Sequence, residues 1–178
     1  MDRFMDKIGD AIAPIAQKMT ANRYLSAIKE GFFGSTPILI AGSIFLLFTS
    51  LPFNGYTEFM ESTFGAGWMD FFYLPYQVSF KLMAIFVVIG MAKSLANYYK
   101  VDSKLAIALS FVGILLLTPV IVTVENVKGL PLDNFSAQGL FVCMIAAALA
   151  VEIYRWCVQK GFTIKMPDSV PQNVSSAF

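Results

Sequence analysis

Residues 31–53 read GFFGSTPILIAGSIFLLFTSLPF, 23 residues without a charge. A helix needs about 20 apolar residues to cross the hydrocarbon core of a bilayer, so this stretch predicts a membrane span. Working outward toward the C-terminus, residues 54–70 (NGYTEFMESTFGAGWMD) are polar, acidic and rich in glycine, and predict a loop with room for a short helix. Phe71–Ala92 is apolar again and encloses Lys81, giving a second span over 71–92. A short basic loop follows over 93–104. Leu105–Val124 (LAIALSFVGILLLTPVIVTV) has no charge and predicts a third span over 105–124. After a loop at 125–136, the uncharged core 137–151 predicts a fourth span over 137–154. In the other direction, residues 1–30 carry charges throughout. Phe4, Ile8, Ile12, Ile15 and Met19 recur at three- or four-residue steps, which places them on one face of an amphipathic helix over 3–29. Pro14 predicts a kink there, or two shorter helices. The fold class that follows is an all-α integral membrane protein, an amphipathic N-terminal helix followed by four transmembrane helices.

Composition agrees. Of the 178 residues, 57% are hydrophobic and 14% charged, with a mean hydropathy of +0.65. Soluble domains average about 25% charged residues. The N-terminal segment has no uninterrupted apolar core and is not a signal peptide, so the spans themselves are expected to direct insertion. Orientation follows from the basic residues. Arg3, Lys7, Lys18, Arg23, Lys29, Lys93, Lys100, Lys104, Arg155, Lys160 and Lys165 fall on one side of the predicted topology, and Lys81 and Lys128 on or near the other. Basic residues concentrate on the cytoplasmic side, so the N-terminus is expected in the cytoplasm. Tyr56, Trp68, Phe71, Phe72, Tyr73 and Tyr76 gather at the predicted outer boundary, and Tyr98, Tyr99, Tyr154 and Trp156 at the inner one. Rings with polar tips anchor helices at the headgroup level.

Chemistry is sparse. The chain has no histidine, which removes the commonest general base and metal ligand. No carboxylate lies within the uncharged cores, and no GxxxxGK[ST] loop occurs. Cys143 and Cys157 form no metal-ligand pattern. No catalytic, cofactor-binding or metal site is therefore expected, and a net charge of +1 gives no footprint for nucleic acid. Lys81 is the candidate intramembrane polar residue, either a contact in a pathway or interface or a side chain reaching the outer headgroups. Pro37 and Pro119, each after a threonine, are candidate kinks, either hinges between transport states or fixed bends. The run Ala146–Ala150 offers small residues for close helix contact. Glu152 and Arg155, three apart, read as an exposed ion pair with a structural role.

The tail, residues 155–178, is cytoplasmic in this topology and ends KGFTIKMPDSVPQNVSSAF. It resembles the segment after the fourth span in the lactose/cellobiose family of phosphotransferase-system permeases, the enzyme IIC subunits. That family carries an IKMPD-x-VPP-x-V string. Ile164, Lys165, Met166, Pro167, Asp168, Val170, Pro171, Val174 and Phe178 match it, while Gln172 stands for the second proline and Ala177 for a common serine. Leu95-Ala96, Asp102, Phe111 and Thr118-Pro119 resemble the family's second-to-third span region. Phe4, Met5, Ile8 and Ala16 resemble its opening helix. The resemblance implies a permease that imports β-linked disaccharides and related oligosaccharides as they are phosphorylated. It implies a homodimer in the lipid bilayer, with phosphate delivered by cytoplasmic IIB and IIA partners. It also implies that the N-terminal spans form the scaffold and dimer contact, while the sugar pocket, with its histidine and glutamate, lies in C-terminal spans. Family chains are more than twice this long, and this sequence stops where a fifth span is expected. The reading is thus the scaffold half of such a permease. The alternative is a stand-alone four-span interaction or regulatory protein without transport activity. The mass of the natural polypeptide distinguishes them.

Overall fold

The computed structural model describes residues 21–118, 121–122 and 128–162. The amphipathic face of residues 3–19, Pro14, Pro119 and the tail motif Lys165, Met166, Pro167, Asp168 and Pro171 lie outside the described residues. Within them the chain is mainly helical.

Helix α1 spans Arg23–Thr49. The uncharged stretch predicts a span from residue 31, but the helix starts eight residues earlier. Asn22 is extended, and its side chain accepts from the amides of Tyr24 and Leu25 at 3.0 and 3.4 Å, capping the first turn. No helix breaker stands between Asn22 and the apolar stretch, so Arg23, Lys29 and Glu30 continue the same helix. Its 27 residues extend about 40 Å, longer than the hydrocarbon core, and the surplus is the charged first two turns. Pro37 sits inside α1 without ending it.

Short helix α2, Tyr56–Phe64, occupies the predicted loop, between Gly55 and Gly65, both at positive φ. The predicted second span is two helices. Helix α3 covers Trp68–Lys81 and α4 covers Met83–Tyr99, bent by 41° at Leu82. Pro75 removes one backbone donor in α3, and the Ser79 hydroxyl donates to the Pro75 carbonyl at 2.8 Å, a bond that bends helices. Helix α4 ends with Lys100 in the left-handed region at φ 56.

Helix α5, Ser103–Leu117, is capped by Asp102, whose carboxylate accepts from the Lys104 amide at 2.8 Å. It stops seven residues before the predicted end of the third span. Thr118 is extended (φ −89, ψ 118), as steric conflict with a following proline ring demands. Pro119 is therefore preceded by a helix terminus and not by a kinked helix. Fifteen residues rise only about 22 Å. Beyond, Ile121–Val122 (β1) pairs antiparallel with Lys128–Gly129 (β2), with Ile121 opposite Gly129. A 3-10 turn, Leu132–Phe135, leads to α6, Leu140–Lys160, which starts three residues after the predicted start of the fourth span and ends six residues beyond its predicted end. By length and composition α1 and α6 can each cross a membrane, and α3 with α4 can if the bent pair is one span.

Helix α4 lies at the centre, packed by α1, α5 and α6. Its Ala84, Val87, Val88, Met91, Ala92 and Leu95 are buried. The outward faces are apolar as well. Leu116 is 81% exposed, Phe71 74% and Phe141 72%. In water such a surface would drive aggregation, whereas acyl chains solvate it. The interior of α1 is small: its buried residues are Ala27, Gly31, Ser35 and Gly42. Gly90 approaches Gly31 so closely that a Cβ there would lie 2.8 Å from the Gly31 Cα. A Cβ on Gly42 would lie 2.5 Å from the Ser79 Cβ. Lipid supplies no hydrophobic force between helices, so close backbone packing holds them together. Helix α1 packs against both halves of the bent pair. Ala146 and Ala147 are buried too, and α6 meets α5 beside them where Gly113 faces Ala150.

Candidate functional site

One carboxylate lies in the apolar run from 137 to 160, Glu152 on α6. Its Oε1 accepts hydrogen bonds from the hydroxyl of Tyr24 at 2.7 Å and from the hydroxyl of Tyr99. Its Oε2 pairs with Nη1 of Arg155 at 3.0 Å, one turn on. The Arg155 guanidinium stacks over the Tyr99 ring at 4.4 Å, and Arg23 approaches the same ring at 5.4 Å and the Tyr24 ring at 5.0 Å. The start of α1, the end of α4 and the second half of α6 are thereby tied at one carboxylate. Spacing alone predicts an exposed Glu152–Arg155 pair. Both side chains are instead little more than a quarter exposed, because the two tyrosines cover them. Tyr99, expected as a headgroup anchor, is a donor in this knot. A lone carboxylate beside an apolar core must find donors, and that rule was the available signal. Which tyrosines would supply them depended on helix packing.

The knot joins phenols, carboxylate and guanidinium, and holds no activated nucleophile. Hydrogen bonds to a charged group contribute about 1.5–3 kcal/mol each, so the chemistry is that of a clamp. Arg155 Nε is buried and has no partner among the described residues.

The other sequence candidates lie elsewhere. Lys81 ends α3, and its Nζ is 4.0 Å from Oδ1 of Asp133 in the 3-10 turn, with both side chains substantially exposed. Around Pro37, the hydroxyls of Ser35 and Thr36 both donate to the Phe32 carbonyl, at 2.8 and 2.9 Å, not to the Phe33 carbonyl that proline leaves without a donor. Thr118 donates to the Ile114 carbonyl at 2.9 Å. No cluster that could hold a metal occurs among the described residues.

The opposite end of the bundle is closed by rings. Phe72 stands within 6.4 Å of the rings of Phe45, Phe48, Phe64, Trp68 and Phe71, and Trp68 also meets Tyr56 edge-on at 5.9 Å. Trp68, expected as a boundary anchor, is 3% exposed and packs as core.

Residues 29–178 match the family described as "Phosphotransferase system, EIIC". The cellobiose-specific EIIC component of Geobacillus stearothermophilus is 42% identical, over all of this chain and 42% of its own length. A lactose-specific EIICB component from Lacticaseibacillus casei is 29% identical over 98% of this chain and 30% of its own. The crystal structure of the transporter ChbC, the IIC component from the N,N'-diacetylchitobiose-specific phosphotransferase system, superposes with a TM-score of 0.84. It is 41% identical and covers 96% of this chain and 42% of its own. The chain spans well under half the length of these relatives.

Proposed function

This chain belongs to the EIIC family of the phosphotransferase system, and we propose that it is the N-terminal scaffold and dimerisation half of a permease importing β-linked disaccharides coupled to their phosphorylation. The observation that carries this reading is the collinear match of nearly the whole chain to the leading two-fifths of permeases whose names specify cellobiose and diacetylchitobiose. The interior of the bundle supports it. The buried core around α4 is mainly alanine, valine, methionine and leucine, and the buried hydroxyls of Ser35 and Ser110 donate to carbonyls of their own helices, which leaves little there for sugar hydroxyls. The sugar site then belongs to a C-terminal half, and this half supplies the rigid frame. Four crossings are read as α1, the bent α3–α4 pair, α5 and α6. The N-terminus is read as cytoplasmic, because Arg23, Lys29, Lys93, Lys100, Lys104, Arg155 and Lys160 share the knot's end of the bundle. That face would meet the soluble IIB and IIA partners. A IIC–IIB fusion, which the lactose-specific relative's EIICB name denotes, requires the two to work side by side.

Two measurements test the reading. Membranes bearing the natural-length protein, supplied with the soluble phosphotransferase components, should phosphorylate radiolabelled cellobiose or chitobiose. Residues 1–178 alone should self-associate and bind neither sugar, and sugar binding by that fragment would overturn the scaffold assignment. For orientation, an impermeant maleimide added to intact cells should leave Cys157 unlabelled until the cells are permeabilised.

A further inference from the structure

An open groove runs between α1 and α4 near the basic end, with a volume of about 610 Å³. Its mouth carries Glu30, Lys93 and Asn97, and its floor is Gly34, Ile38, Phe86 and Ile89. We propose that this groove is a binding site for one phospholipid with a primary-ammonium zwitterionic headgroup, of the phosphatidylethanolamine class. Depth is the first reason. On α1 the charges stop at Glu30 and the uncharged stretch begins at Gly31; on α4 the uncharged stretch ends at Ala92 and Lys93 follows. The groove thus straddles the passage from headgroup to hydrocarbon on both walls. From residue 30 to residue 38 it extends about 12 Å along α1, room for the upper part of an acyl chain.

Charge is the second reason. Glu30 and Lys93 are both exposed and line one cavity. Glu30 pairs loosely with Lys29 at 3.6 Å, and Lys93 makes no ion pair among the described residues. A phosphate beside Lys93 and an ammonium beside Glu30 complement both charges at once. A purely anionic headgroup would oppose Glu30, and a quaternary one would offer it no donor. A helix from a second copy would have to desolvate both charges, which is unfavourable unless each is paired.

Gly34 provides the test. A Cβ built there meets nothing within 4 Å, so a side chain fills the groove without touching the α1–α4 packing, unlike one at Gly31 or Gly90. The natural-length protein, extracted in mild detergent, is offered equal phosphatidylethanolamine, phosphatidylglycerol and phosphatidylcholine and read by native mass spectrometry. The wild type should retain phosphatidylethanolamine preferentially, about one per protomer. Gly34→Leu should weaken that adduct about tenfold, roughly 1.4 kcal/mol, with thermal stability intact. Glu30→Gln should shift preference toward phosphatidylglycerol. Equal retention of all three lipids by the wild type, an unchanged adduct in Gly34→Leu, or an unchanged preference in Glu30→Gln would overturn the site. So would a Gly34→Leu protein that turns from dimer to monomer, which would give the groove to a second copy.

Discussion

The two ends of the bundle are closed by different chemistry. At the basic end the start of α1 and the end of α4 meet one carboxylate of α6, through two phenols and a guanidinium. At the opposite end Phe72 gathers rings from α1, α2 and α3, with Trp68 beneath them. The first closure is directional, and each bond fixes a distance and an angle. The second is dispersive, and rings can slide while keeping most of their contact. The basic end is thereby the stiffer of the two, suited to a face that must keep its shape.

Substitutions that remove one closure and leave the other separate the two. Trp68→Ala should have the largest effect, about 3–5 kcal/mol, because it empties a buried ring site. Thermal unfolding in detergent, followed by circular dichroism, measures it, and the loss should be insensitive to salt. Glu152→Ala should cost about 2–3 kcal/mol, since two phenols and Arg155 lose their acceptor together. A double-mutant cycle with Tyr24→Phe should give a coupling near 1 kcal/mol, and a coupling of zero would show the clamp to be energetically idle. Lys100→Gly should stabilise by about 1 kcal/mol, because Lys100 holds a left-handed conformation that glycine adopts freely. Lys81→Met should change stability least, by no more than about 0.5 kcal/mol, because its pair with Asp133 is long and exposed. A larger loss there would make Lys81 a structural element at the bend between α3 and α4.

The order of the helices and the membrane setting were legible because both follow from local counts. A 23-residue stretch without charge at 31–53, or the apolar core at 137–151, needs no partner to be recognised. The polar loop at 54–70 likewise announced itself through its glycines and carboxylates, and α2 sits inside it. The helix ends were less legible. Charged residues such as Lys29 and Glu30 mark the edge of hydrocarbon but do not break a helix, so α1 begins at its Asn22 cap. Thr118 lies in an uninterrupted apolar run, yet Pro119 after it ends α5. The break at Leu82 carries no residue that announces it.

The sequence by itself determined that this chain enters a membrane, which end gathers its basic residues, and, through its tail string, the family it resembles. These rest on residue type and chain order, which partition into lipid or water independently of packing. Only the tertiary structure decided which tyrosines complete Glu152, which glycines let α1 meet α4, and that Trp68 is core. Those depend on helix rotation and crossing, set by small residues 59 positions apart such as Gly31 and Gly90, whose backbones nearly touch.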